Sequence, residues 1–120
     1  MWEIETYETT NGRCPVSEYI DGIKNPKIRN IIDRHIRLLS VYGLEIGFPT
    51  VRQLRDKIYE LRMETIAGQV RLLFFFYTDR TIVMTVGLTK KRGAVPAKYI
   101  NKSIEYRLDY FSTHGPDKQK

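Results

Sequence analysis

Ile58-Tyr59-Glu60-Leu61-Arg62-Met63-Glu64-Thr65-Ile66-Ala67-Gly68-Gln69-Val70-Arg71-Leu72-Leu73-Phe74-Phe75-Phe76-Tyr77 is the stretch that decides the fold. Its first part alternates, with Tyr59, Leu61 and Met63 on one side and Ile58, Glu60, Arg62 and Glu64 on the other. That is the two-residue period of a strand. Ala67-Gly68 turns the chain, and Gln69 to Tyr77 alternates again. One of its faces is strongly apolar (Val70, Leu72, Phe74, Phe76) and the other mixed (Gln69, Arg71, Leu73, Phe75, Tyr77). With the loop at Thr65 to Gly68, residues whose numbers sum to 133 face each other, which sets Arg62 against Arg71. Cross-strand partners have Cβ atoms about 5 Å apart, where like charges destabilise a sheet. Two opposed arginines therefore point either to an anion held between them or to neutralisation by Glu60 and Glu64 on the same face.

The flanks extend this hairpin into a domain. Thr78-Asp79 turns the chain into Thr81 to Leu88, a β-branched run suited to a central strand. Lys90-Lys91-Arg92-Gly93 then leaves the sheet, and Pro96 opens a helix in which Ile100, Ile104, Leu108 and Phe111 recur every three or four residues. Upstream, Arg52 to Lys57 reads as a basic connector. Asn25-Pro26 is a helix start, with a capping side chain followed by proline at the first helical position. Ile28, Ile31, Ile32, His35, Ile36 and Leu39 form that helix's apolar stripe, and Gly43 stops it. A shorter helix spans Ser17 to Lys24, with Ser17 as its cap. Trp2 to Thr9 alternates as a first strand. The order is β-α-α-β-β-β-α, an α+β fold with an antiparallel-rich four-stranded sheet and helices packed against one face. Residues 1–111 form one domain, and 112–120 form a flexible polar tail.

Composition limits the function. The chain has 120 residues, 42% hydrophobic and 28% charged, which suits one globular domain with an ordinary core. Leu72 to Tyr77, the longest apolar run, is far short of the ~20 residues of a membrane span. The N-terminus shows no basic region followed by an apolar one, as a secretory signal would. With a single cysteine, Cys14, no internal disulfide or cysteine-cluster metal site can form. The cytosol is the expected location. His35 lies on an apolar stripe and His114 near the C-terminus, and there is no carboxylate cluster, so no metal site is expected. No glycine-rich phosphate loop is present, and no cofactor is expected. The net charge of +6 favours a polyanionic partner. Its informative part is the concentration of cations around the meander: Arg52, Arg55 and Lys57 before it, Arg62 and Arg71 within it, and Lys90, Lys91 and Arg92 after it. On the mixed face, Phe75 and Tyr77 are the aromatics placed to meet a base.

Gly12…Pro15-Val16 after the first strand is similar to the RelE/ParE superfamily, specifically its phage-related HigB-like toxins. So is Leu54…Lys57-Ile58-Tyr59-Glu60-Leu61-Arg62, followed by Arg71 in an apolar strand and Lys90-Lys91…Pro96 before the terminal helix. The resemblance covers residues 2 to 111. It implies a type II toxin that cleaves messenger RNA at the ribosome without a metal and is neutralised by a helix-turn-helix antitoxin. Under that reading Arg62, Arg71, Lys90 and Lys91 are catalytic, while Arg52, Arg55, Lys57, Arg92 and Tyr77 hold RNA or ribosome. Close relatives often carry a histidine and an aromatic before the Lys-Lys pair. This chain has Val86-Gly87-Leu88-Thr89 there, so proton transfer falls to Lys90 or Lys91, with Tyr59 a weaker candidate because its parity turns it toward the core. The alternatives are a ParE-like poison of DNA gyrase and a noncatalytic basic RNA-binding module.

Overall fold

The computed structural model describes residues 1–116. Its elements are β1 (Glu3–Thr6), α1 (Pro15–Asp21), α2 (Pro26–Tyr42), β2 (Val51–Gln53), β3 (Tyr59–Thr65), β4 (Gly68–Tyr77), β5 (Thr81–Lys90) and α3 (Ala97–His114). The fold is α+β, with three helices and a mixed sheet of five strands in the order β1-β5-β4-β3-β2. The hairpin register is the one read from the sequence. Thr65 pairs with Gly68 and Arg62 with Arg71.

Four features differ from the expectation. A fifth strand, β2, overlaps the start of the stretch read as a connector: Val51, just ahead of it, is buried and pairs with Leu61, while Arg52 pairs with Glu60. Three residues with a charged centre make a short, blunted edge strand, whose alternation is too brief to register in sequence. β1 runs parallel to β5, with Glu3 beside Thr81 and Thr6 beside Met84, so the sheet is mixed. Helices cover both faces rather than one. Ile28, Ile32 and Leu39 of α2 and Val16 of α1 join Leu61, Met63, Leu72 and Phe74. On the other face Ile100 and Tyr110 of α3 join Leu73, Phe75, Val83 and Val86. Finally, α1 begins at Pro15 with Cys14 in the cap position, and the Ser17 hydroxyl accepts from the Cys14 thiol at 3.1 Å.

Local chemistry holds the helices in place. The Asn25 side-chain oxygen accepts the Lys27 amide at 2.9 Å and closes the start of α2. Gly43 follows its end with φ 55°, and the Trp2 indole lies so close that a Cβ there would come within 2.5 Å of Nε1. Between Leu73 and Phe74 the β4–β5 register shifts, leaving Thr85 as the extra residue of a bulge. Its hydroxyl bonds the Leu73 carbonyl at 3.2 Å and the buried Ser103 hydroxyl at 2.5 Å, which fixes α3 on the sheet. α3 continues past Phe111 to His114, whose carbonyl accepts from the Tyr77 hydroxyl. The polar tail expected from 112 therefore starts as helix, and its residues 117–120 lie outside the described residues. Among the described residues no helix is long and apolar enough to cross a membrane.

Candidate active site

Strand parity assembles the site. Arg62 donates its backbone amide to Thr50 at the β2 side, so Arg62 and Arg71 oppose each other as a non-hydrogen-bonded pair, the close-approach kind. Leu88 lies beside Arg71 and Lys90 beside Gln69, so Lys90 shares the arginines' face. Arg52, opposite Glu60, joins the same face one row below. This is the face on which α3 packs, at the end where β3, β4 and β5 run past the helix's apolar contacts.

The arginines are not equivalent. Arg71 is fully buried and Arg62 half-buried. Glu60, also fully buried, takes the Arg52 Nε–H at 2.7 Å and sits 3.7 Å from Arg71 Nη1. Arg71 Nη2 donates to Gln69, whose amide donates to Glu64 at 2.7 Å. The result is a polar strip across the sheet: Arg52, Glu60, Arg71, Gln69, Glu64. Three buried atoms in it, Glu60 Oε1 and Arg71 Nε and Nη1, make no hydrogen bond. A buried guanidinium is tolerated because its charge has a carboxylate beside it, although each unmade bond costs about 1–3 kcal/mol. By contrast, the Arg62 and Lys90 side chains make no ion pair or hydrogen bond among the described residues.

Six expected site residues thus lie toward one end of one face: Arg52, Arg62, Arg71 and Lys90, with Lys91 exposed directly after them and Arg92 following it in the same turn. Three expected contacts lie elsewhere. Arg55 is held by Asp56 and Asn101. Lys57 is exposed at φ 61° in a loop tied to α3, where Arg107 donates to the Asp56 carbonyl at 2.6 Å. Tyr77 is six strand residues from Arg71, about 20 Å, and its hydroxyl is spent on His114. Phe75 is buried against Tyr110 and Phe111 and meets no base. Tyr59 packs beside Phe74 and Phe76, as parity indicated. Of the two carboxylates expected to neutralise the arginines, Glu60 stands beside Arg71, while Glu64 accepts from Gln69 instead. The residue missed is Gln69, which only its parity with Arg71 signalled.

Two cavities lie away from this strip. One of about 670 Å³ opens between the end of α2 and α3, lined by Trp2, Tyr42, Tyr59, Phe76, Leu108 and Phe111 among others. A smaller one is bordered by Glu5, Tyr7, Tyr110 and His114. Two phenols with raised pKa values, Tyr7 and Tyr110, lie at that smaller cavity and tie the β1 end to α3. Tyr7 donates to Asp109 at 2.6 Å and Tyr110 to Glu5 at 2.7 Å. Burial first, and then the acceptor carboxylate, raises both phenol pKa values well above the ordinary range.

Residues 20–109, which include the whole of α2 and the strip just described, match the family described as Phage derived protein Gp49-like (DUF891). The chain belongs to that family. No curated protein matches it. The Gp49-like family is toxin-like, consistent with a toxin–antitoxin toxin, and its match includes Arg52, Arg62, Arg71, Lys90, Lys91 and Arg92.

Proposed function

We propose that this Gp49-like protein is the toxin of a type II toxin–antitoxin system and a ribosome-dependent messenger-RNA endoribonuclease of the RelE/HigB kind. It would act in the cytoplasm and be neutralised by a helix-turn-helix antitoxin. The observation that supports it most is the register pair Arg62–Arg71 with Lys90 on the same face, Arg62 and Lys90 having no partner for their charge among the described residues.

In the reaction, the ribose 2′-oxygen attacks the adjacent phosphorus and gives up its proton. The bond to the 5′-oxygen breaks and that oxygen takes a proton, leaving a 2′,3′-cyclic phosphate and a 5′-hydroxyl. Arg62 supplies the forked, permanent charge that holds a phosphate oxygen as negative charge builds. Arg71, behind it and locked to Glu60 and Gln69, adds a fixed buried charge and a rigid floor rather than a free fork. Lys90 and Lys91 stand at the mouth for proton transfer, and Arg52 and Arg92 extend the rim along the strand. Alignment of the substrate is left to the ribosome, since held reactants gain up to ~7–11 kcal/mol.

The test is inducible expression with transcript-end mapping. Wild type should arrest growth and produce new 5′-hydroxyl ends. Arg62→Ala should lower cleavage ~10²–10³-fold, the loss seen when one charge-stabilising donor is removed. Lys90→Ala and Lys91→Ala should lower it ~10²–10⁴-fold for whichever carries the proton. Undiminished cleavage in all three would remove the strip from the mechanism, and a DNA-damage response with intact transcripts would replace this reading with a gyrase poison.

A further inference from the structure

A second charged surface lies on the opposite side of the sheet. Lys27, Arg29, Arg34 and Arg37 of α2 are exposed, with Lys24 exposed just ahead of the helix, and Asp33 is the only carboxylate among them. Residues 24–42 therefore carry a net +4 of the chain's +6. Ion pairs occur elsewhere, at Arg13, Arg52, Arg55, Arg71 and Lys102, but none of these α2 cations forms one among the described residues. Asp33, a turn from both Arg29 and Arg37, is itself exposed and in no ion pair among the described residues. The rod that displays them is rigid, capped by Asn25 and anchored by buried Ile28, Ile32 and Leu39. Lys27 to Arg37 spans about 15 Å at the helical rise.

We infer that the outer face of α2 binds the phosphate backbone of double-helical RNA, separately from the strand engaged at Arg62. Charge complementarity favours a polyanion. From Lys27 to Arg37 a protein partner fits poorly, because a stable protein interface has an apolar centre depleted in charge and the exposed residues there are all charged or amide; the helix's exposed apolar residues, Leu38, Val41 and Tyr42, lie beyond Arg37 at its C-terminal end. Three of the four are arginines, whose planar forks grip phosphate oxygens. α2 packs on the Leu61, Met63 and Leu72 side while Arg62 and Arg71 occupy the other, so the two surfaces cannot serve one strand at once. The choice of RNA over DNA rests on the proposed ribonuclease reading.

The test measures binding of the full chain to a blunt 20-base-pair RNA duplex across a salt series, with the same duplex in DNA as comparison. Each phosphate neutralised contributes about −0.9 to the slope of log affinity against log salt on a duplex. Replacing Lys27, Arg29, Arg34 and Arg37 together with glutamine should flatten the slope by about 3–4 and leave circular dichroism unchanged, since all four are exposed. Replacing Lys90, Lys91 and Arg92 with glutamine should leave the duplex slope while abolishing transcript cleavage. A slope untouched by the α2 variant, or lost only in the β5-end variant, overturns the inference and makes this face a solvated one. Tighter binding to the DNA duplex overturns the assignment to RNA. A flattened slope in a chain that never cleaves transcripts supports the surface while removing the ribonuclease reading.

Discussion

The two faces of the β3–β4–β5 meander are built on opposite plans. The α2 face is closed: Leu61, Met63, Val70, Leu72 and Phe74 are all buried beneath helix. The α3 face is closed for half its length, over Leu73, Phe75 and Val83, and then gives way to Arg71, Glu60, Gln69 and to Arg62 and Lys90, which are unpaired among the described residues. Stability alone does not call for the second arrangement. Apolar residues of similar volume often replace a buried ion pair at no loss or with a gain of 1–4 kcal/mol. The contrast separates what the sheet needs to stand from a charged strip that stability does not require.

The largest effect should come from Glu60→Ala. It leaves the fully buried Arg71 without its carboxylate, and breaking a buried pair from one side costs about 3–5 kcal/mol. Urea unfolding would show it as a fall in midpoint at unchanged slope. A loss under 1 kcal/mol would mean that water reaches Arg71 and the strip is open. The double replacement Glu60→Leu with Arg71→Met should recover much of the loss while abolishing activity, which would separate the strip's two duties directly.

Next comes the closed face. Leu72→Ala removes a fully buried side chain between α2 and the sheet and should cost about 2–5 kcal/mol. The same unfolding experiment reads it. If the proposed transcript cleavage per folded molecule matches that of the wild type, the closed face is scaffold; a lower cleavage at unchanged folded fraction would couple the faces.

Much of this contrast was legible in sequence and some was not. The hairpin was, because alternation plus Ala67-Gly68 permits one register, and that register alone placed Arg62 opposite Arg71. α2 was legible through Asn25-Pro26 and its stripe. β2 was not, because a three-residue edge strand shows no period and Arg52 looks like loop charge until Glu60 is seen beside it. The parallel placement of β1 depends on pairing across more than seventy residues, which no local pattern encodes. Helices on both faces were half-written in Leu72-Leu73-Phe74-Phe75-Phe76: a run apolar at every position belongs to a strand buried on both sides. At the site, sequence gave the row of cations but not their burial. Whether a side chain in a mixed-face row ends in water or under a helix depends on where that helix stops.

Alkaline pH probes the seam where α3 joins β1. Tyr7 and Tyr110 have phenol pKa values raised in the folded chain, chiefly by burial and then by Asp109 and Glu5. The unfolded chain ionises these tyrosines near pH 10 while the folded one keeps its protons. Their contribution is therefore fully present below pH 10 and is lost as pH rises further. Stability should fall as pH rises above 10, and Tyr7→Phe with Tyr110→Phe should flatten that fall. An unchanged alkaline slope in the double variant would place the titration at other groups.

The smallest expected effect is the most telling. Arg62→Ala and Lys90→Ala remove charges with no partner among the described residues, and surface changes away from packing or pairing stay within about 0.5 kcal/mol. Arg62 also faces the buried charge of Arg71, so its removal should leave stability unchanged or slightly higher. A cation kept where it adds nothing to the fold, and opposes another, has its use in something the fold does not contain. Should Arg62→Ala instead destabilise by 2 kcal/mol or more, Arg62 belongs with Arg71 and Glu60 in the structural strip, and the face has no member free to meet a phosphate.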